Sequence, residues 1–153
     1  MLDELGQRVQ NKKVLILGVG NRLRGDEGVG SFIVKRLKDK VNVPLLDGGT
    51  VPEKQLSQIE AFHPDLVLVV ASADVPNALP GEMGLFELDQ MHQAGVKTRA
   101  ANLPLLFKII SSKSRPDALL IAIQPDDQNT KGVSESVRNA LDGLEAMLVE
   151  LFG

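Results

Sequence analysis

A short loop near the amino terminus carries the side chains that are best suited to chemistry. An apolar run over residues 14–19 ends at Gly20 and Asn21, and the adjacent acids Asp26 and Glu27 follow between further glycines. Apolar residues then recur at helical spacing, which predicts a helix directly after the acids. Carboxylates at the positive end of a helix dipole are expected to stay ionised and to face outward, so this pair suits a hard or borderline metal ion or a cationic partner.

Two other interpretations of this glycine-rich turn stay open. In the first, the glycines only let the helix pack closely on the strand, and the acids cap the helix and balance Arg22, Arg24 or Lys35. In the second, the turn binds a dinucleotide, but Leu23 stands where that pattern needs its third glycine. The acids would also repel a pyrophosphate at the helix N-terminus. A nucleotide-binding α/β domain is therefore the remoter alternative.

The elements that must position this loop alternate between strands and helices. Apolar runs predict strands over residues 13–19, 43–46, 66–71 and 118–123. With helical periods between them, the alternation predicts an α/β fold, a three-layer α/β/α sandwich around a roughly five-stranded, mostly parallel sheet. The short segment 85–88 is the expected antiparallel edge strand, and residues 1–153 are expected to form a single domain.

Several helix ends carry sequence signals of their own. Thr50 and Glu53 have the spacing of a capping box, which predicts that a helix begins there. Asn102 is expected to cap a helix that runs through Lys113. The last helix is expected to begin near Ser134. Its predicted buried face consists of Val137, Leu141, Leu144, Leu148 and Leu151.

Composition excludes several classes of function. The 153 residues carry 17 basic and 20 acidic side chains, a net charge of −3 without a basic block, so nucleic-acid binding is not favoured. Cysteine is absent, which rules out disulfides, thiolate metal sites and a cysteine nucleophile. No apolar run approaches the roughly 20 residues of a membrane span, and residues 1–13 lack a signal-peptide core. We therefore expect a cytoplasmic protein without membrane insertion.

The loop resembles the signature of the nickel–iron hydrogenase maturation endopeptidases. That signature is a strand, Gly-x-Gly-Asn, a short loop, an acidic pair and Gly-x-Gly, and residues 17–21 and 25–30 match it. Further segments that resemble the family in the expected order are 46–50, 80–82, 102–105 and 121–125. The resemblance implies the same three-layer fold. It also implies a protease that removes the C-terminal peptide from a nickel–iron hydrogenase large-subunit precursor after nickel insertion.

The resemblance further implies a metal-binding triad, most of which this chain lacks. Family members hold a metal with an acid of the signature, an Asp at the end of the third strand and a His before the Asn-Leu-Pro-Leu-like segment. These positions correspond to Glu27, Ala71 and Ala101, and alanine has no donor atom. Asp74 and His92 are weak substitutes. The resemblance implies that the substrate carries the nickel. Because two of the three positions are alanine, we expect the chain's own metal binding to be weak or absent.

Four residues are implied in substrate recognition: Gly20, Asn21 and Asp26 in the signature, and Asp47 after the second strand. Asp47 either forms a turn with the glycines that follow it or meets a basic side chain near the scissile bond. His63 precedes the third strand, which places it at the opposite end of the sheet and excludes it as a ligand. The two histidines provide no evident nucleophilic triad.

Three versions of the function stay open on this basis. The chain is an active protease with replacement ligands or substrate-assisted chemistry, or a non-catalytic homologue that binds the large subunit or its C-terminal extension. The third version is a variant constructed to trap a complex. The loop after Ala71 is one residue longer than is usual in the family, which favours natural loss of the ligand over construction.

Overall fold

The computed structural model describes residues 1–99, 102–108, 115–128 and 131–153, and shows a sheet between two layers of helices. The strands are β1 (Val14–Val19), β2 (Leu45–Gly49), β3 (Leu66–Asp74), β4 (Met83–Glu87), β5 (Lys97–Thr98) and β6 (Asp117–Ile123). The helices are α1 (Leu2–Val9), α2 (Val29–Leu37), α3 (Leu56–Phe62), α4 (Leu103–Lys108) and α5 (Glu135–Phe152). The predicted three-layer α/β/α architecture is confirmed.

The sheet is mostly parallel, in the strand order β2-β1-β3-β6-β4. Strand β4 pairs antiparallel with β6 at the edge, which confirms the antiparallel strand predicted over residues 85–88. The two-residue strand β5 is absent from the sequence prediction, and it pairs antiparallel with the last two residues of β3. Since this pairing extends β3 to Asp74, that strand ends three residues beyond its predicted end at Ala71.

Hydrophobic side chains fill both faces of the sheet. Strands β1, β3 and β6 are buried through almost their whole length, as expected for parallel strands covered on both sides. Helices α1, α2 and α5 pack on one face, and α3 and α4 pack on the other. In the part of the chain that the structure describes, no helix combines the length and the apolar character that crossing a membrane requires.

Helix α2 lies close to the sheet because glycines face each other at the contact. A Cβ on Gly30 would lie 2.3 Å from the carbonyl oxygens of Val19 and Val70. A Cβ on Gly18 would lie 2.1 Å from the carbonyl oxygen of Gly30. The first turn of α2 therefore rests directly on the backbone of β1 and β3. This contact places the loop before α2 at the carboxyl ends of both strands.

The cap predicted at Asn102 and the helix start predicted near Ser134 are both confirmed. The Oδ1 atom of Asn102 accepts a hydrogen bond of 3.1 Å from a backbone N–H of α4, and the Oγ atom of Ser134 accepts one of 3.3 Å from a backbone N–H of α5. The predicted inner face of α5 is buried, except that Leu151 is only partly buried. The helix end predicted at Lys113 lies outside the described residues.

The capping box predicted at Thr50 and Glu53 is wrong. The chain turns at Gly49, whose φ is +53°, and then forms a 3₁₀ turn over Pro52–Gln55. The N-cap of this turn is Val51, which has no side-chain oxygen to accept a hydrogen bond. Pro52 is favourable at this position because the N–H that proline lacks would have no hydrogen-bond partner within the turn. Helix α3 consequently begins only after the 3₁₀ turn.

Gly30→Ala is expected to lower the free energy of unfolding by about 2–4 kcal/mol, because the added methyl group would press on two strand carbonyls. Gly143→Ala is the matched control at an exposed position of α5, where an added Cβ meets nothing within 4 Å. The control should stabilise the protein by about 0.5–1 kcal/mol. Urea unfolding measures both values. Unchanged stability of Gly30→Ala would show that α2 does not pack this closely on the strands.

Candidate functional site

Four parallel strands end at one edge of the sheet, and the predicted acids lie at that edge. Glu27 lies in the 3₁₀ segment Arg22–Gly28 between β1 and α2, Asp47 lies in β2, and Asp74 is the last residue of β3. The carboxyl ends of parallel strands are where α/β proteins bind their ligands. The fold therefore brings acids that are far apart in the sequence to the edge where a site is expected.

Asp26 is buried, so the expectation that both acids face outward is wrong for this residue. Its Oδ1 accepts a hydrogen bond from Ser134 N at 2.7 Å. Its Oδ2 accepts hydrogen bonds from Ser134 Oγ at 2.8 Å and from Asp126 N at 2.9 Å. The loop after β1 is thus tied to the loop after β6 and to the N-terminus of α5. Substrate contact by Asp26 stays a prediction, but the three hydrogen bonds give its carboxylate a structural role.

Asn21 and Gly25 hold the same loop in shape. Asn21 donates its N–H to the carbonyl oxygen of Glu27 at 2.9 Å, and its Oδ1 accepts from Leu23 N at 3.0 Å. Gly25 has a φ of +57°, and a Cβ there would lie 2.3 Å from the carbonyl oxygen of Gly132, so a larger residue would not fit. The anchored loop holds Leu23 outward, with 94% of its surface exposed.

Glu27 is half-buried and lines a polar cleft of about 240 Å³. Arg24, Arg99, Asp126 and Asp127 also line this cleft. Of the ion pairs between described residues, none joins Asp26 or Glu27 to the three nearby cations that the sequence suggested. Hydrogen-bond donors from distant segments, rather than neighbouring cations, engage the buried Asp26. The other part of that interpretation, close packing of the helix on the strand through glycines, agrees with the structure.

Asp47 lies within β2 rather than after it, because the strand continues through a bulge opposite β1 to Gly49. The Oδ1 atom of Asp47 accepts hydrogen bonds from Ser31 Oγ at 2.7 Å and from Gly49 N at 3.0 Å. A second cleft, of about 580 Å³, opens beside it. Gly20 and Asn21 line this cleft together with Asp47. Three of the four residues predicted for substrate recognition therefore share one cleft.

Arg99 is a charged residue of this edge that the sequence prediction missed. Its Nε and Nη2 atoms donate to the two carboxylate oxygens of Asp74 at 3.1 and 2.6 Å. Its Nη1 and Nη2 atoms donate to the two oxygens of Asp127 at 2.8 and 3.0 Å. No local spacing signals this arrangement, because Asp74 and Asp127 lie 25 and 28 positions from Arg99 in the sequence.

These hydrogen bonds shift the pKa of the Arg99 guanidinium and that of the Asp127 carboxyl group. Hydrogen bonds to Asp74 and then to Asp127 raise the pKa of the Arg99 guanidinium above its usual value. The hydrogen bond from Arg99 lowers the pKa of the Asp127 carboxyl below its usual value. The Arg99 guanidinium and the Asp127 carboxylate are thus held in their charged forms, and the guanidinium joins the end of β3 to the loop after β6.

The structure describes two of the three positions that hold a metal in the family. Ala71 pairs with Val19 at the end of β1 and is buried, so it lies at the same end of the sheet as the loop of Glu27. Ala101 lies outside the described residues. The convergence of positions 27, 71 and 101 on one site therefore stays a prediction. Of the two described positions, only Glu27 has a side chain that could donate to a metal.

The weak substitutes do not complete a metal site. Asp74 is engaged by Arg99 through both carboxylate oxygens, so a metal ion there would have to displace the guanidinium. His92 lines a different cleft from Glu27. His63 ends α3 before β3 begins, at the opposite end of the sheet, as predicted. In the described ranges, no group of three or more His, Asp or Glu side chains could hold a metal ion. These residues do not fit a resident metal.

Comparisons with known proteins identify the family of proteins that share this α/β fold and the loop at the carboxyl edge of the sheet. The family model described as HycI, hydrogenase maturation protease, matches residues 29–151. The chain belongs to the hydrogenase maturation protease family, which confirms the resemblance seen in the sequence.

Individual relatives agree with this assignment. The hydrogenase 3 maturation protease of Escherichia coli K12 is 29% identical over 142 residues, which cover 86% of this chain and 90% of the relative. The crystal structure of HycI from Thermococcus kodakarensis has a TM-score of 0.83 at 27% identity and covers 97% of both chains. The maturating endopeptidase HybD of E. coli, at 20% identity and a TM-score of 0.71, shares the fold over 91% of this chain and 89% of that one.

Asp26→Asn is expected to lower the free energy of unfolding by about 2–3 kcal/mol, because an amide cannot accept all three hydrogen bonds and leaves buried donors unpaired. Glu27→Gln is the matched control, since it makes the same chemical change at the adjacent half-buried residue. It should alter stability by no more than about 0.5 kcal/mol. Urea unfolding at neutral pH measures both. Equal effects of the two substitutions would contradict the structural role of Asp26.

Proposed function

We propose that this chain acts in the maturation of a nickel–iron hydrogenase by binding the C-terminal extension of the large-subunit precursor. Membership of the hydrogenase maturation protease family supports this partner. The names of the relatives, among them a hydrogenase 3 maturation protease, support it as well. The binding place would be the carboxyl edge of the sheet, where two clefts open on either side of the exposed Leu23.

We further propose that the chain binds the extension without cutting it. The observation that carries this proposal is Ala71, a buried methyl group at the position where the resemblance implies a metal-binding carboxylate. Asp26, Asp74 and Asp127 are already engaged within the chain by hydrogen bonds. Glu27 shares its cleft with Asp126, but none of the residues that line this cleft is a histidine. A single carboxylate and water rarely hold a transition metal tightly. We propose that nickel is bound by the precursor and is not coordinated by side chains of this chain.

Apolar side chains near Asp47 support a docking role for this edge. Leu23 and Val51 are 94% and 42% exposed, and both line the cleft that contains Asp47. Exposed apolar groups on an anchored loop are typical of protein–protein contacts. The Asp47 carboxylate in the same cleft would receive a basic side chain of the extension, while the apolar groups would contribute contact area.

Native mass spectrometry of the protein with full-length precursor tests the proposed function. Metal-free and nickel-loaded precursor are each incubated with the protein, and the masses of precursor and complex are followed. We expect an intact precursor in a stable complex, with similar affinity for both forms because Glu27 is the one described family metal position whose side chain could donate to nickel. Loss of a C-terminal peptide would show that the chain is an active protease. Absence of any complex would overturn the proposed function.

Leu23→Ala is expected to weaken binding of the precursor about tenfold, because burial of a leucine side chain contributes at least about 1.5 kcal/mol. Leu79→Ala is the matched control. Leu79 is 68% exposed but does not line either of the two clefts beside Leu23. Calorimetric titration measures both affinities. Equal loss, or no loss, in the two variants would exclude the Leu23 loop as the place of docking.

A further inference from the structure

Ser31 is a buried residue whose hydroxyl group holds an exposed carboxylate. It lies in the first turn of α2 with 2% of its surface exposed, and its Oγ donates to Asp47 Oδ1 at 2.7 Å. The distance from Ser31 Oγ to the Gly20 carbonyl oxygen is 3.4 Å, so the carboxylate is the closer acceptor. The contact arises because alternation along β2 turns Asp47 to the α2 side of the sheet, like Leu45.

Asp47 is held at further points besides Ser31. Gly49 N donates to the same carboxylate oxygen at 3.0 Å, and Gln55 Nε2 donates to the backbone carbonyl oxygen of Asp47 at 3.2 Å. In the described part of the chain, Oδ2 is the carboxylate oxygen without a hydrogen-bond donor. Because Asp47 is exposed and lines the 580 Å³ cleft, Oδ2 is available to a donor that enters there.

We propose that Ser31 is a positioning residue, which orients the Asp47 carboxylate to receive a basic side chain of the bound extension. A carboxylate that is already fixed loses little freedom on binding, so its hydrogen bonds to a ligand are made at lower cost. Charge-assisted hydrogen bonds also depend on geometry, which a buried anchor maintains. This inference rests on the proposed function, since it assigns the residue that prepares the same cleft for its ligand.

A double-mutant cycle with full-length precursor tests whether Ser31 acts through Asp47. Ser31→Ala is expected to weaken binding about fivefold, the equivalent of one lost hydrogen bond. Asp47→Ala should weaken binding at least as much. The double variant should bind no more weakly than Asp47→Ala alone, because the hydroxyl has nothing left to orient. Independent, additive losses would overturn the positioning role.

Ser72→Ala is the matched control for loss of a buried hydroxyl. Ser72 is 5% exposed, and its Oγ has no hydrogen-bond partner in the described part of the chain. Its removal should leave the affinity for precursor unchanged. A loss equal to that of Ser31→Ala would show that any buried serine near this edge has the same effect, which would overturn the specific role of Ser31.

Amide hydrogen exchange gives a second readout that needs no precursor. Gly49 N donates to the carboxylate that Ser31 anchors, so Ser31→Ala should speed exchange of the Gly49 amide while Ser72→Ala should not. Unchanged Gly49 exchange would overturn the positioning role even if wild-type protein binds the precursor. Failure of the wild type to bind would overturn the proposed function, whatever the exchange result.

Discussion

The buried carboxylate of Asp26 is the interaction on which the carboxyl edge depends. It accepts hydrogen bonds from Asp126 and Ser134, which lie 100 and 108 positions away in the sequence. A buried carboxylate is stable only when such partners compensate for its loss of hydration. Because the loop after β1 is held there, Leu23 and Glu27 have defined positions. The acid pair of the signature is thereby divided: Asp26 ties the edge together, and Glu27 lines a cleft.

Arg99 brings a permanent positive charge to the same edge. Its three guanidinium nitrogens all donate to carboxylates, which neutralises part of the negative charge of Asp74 and Asp127. A divalent ion would have to compete with this guanidinium for Asp74. The methyl group of Ala71 has no atom that could donate to a metal. The described side chains at this edge interact with other protein groups through ion pairs and hydrogen bonds.

The parts of the fold that follow from local pattern were predictable. Continuous apolar runs mark buried parallel strands, and the oxygens of Asn102 and Ser134 mark helix starts by a mechanism that needs only neighbouring N–H groups. Thr50 and Glu53 show the same kind of signal and mislead, because a bulge in β2 and a proline impose a 3₁₀ turn there. The local signal for a helix start fails here because the chain turns sharply as it leaves strand β2.

By itself, the sequence determined the α/β class, the family, and the absence of donor atoms at positions 71 and 101. It also determined which acids follow the parallel strands at the carboxyl edge of the sheet. Each of these depends on residue type and order. Only the tertiary structure decided which acid of the pair faces inward, that Arg99 joins Asp74 to Asp127, and that Ser31 holds Asp47. These contacts join residues 16 to 108 positions apart, and such pairings arise when strands and helices pack.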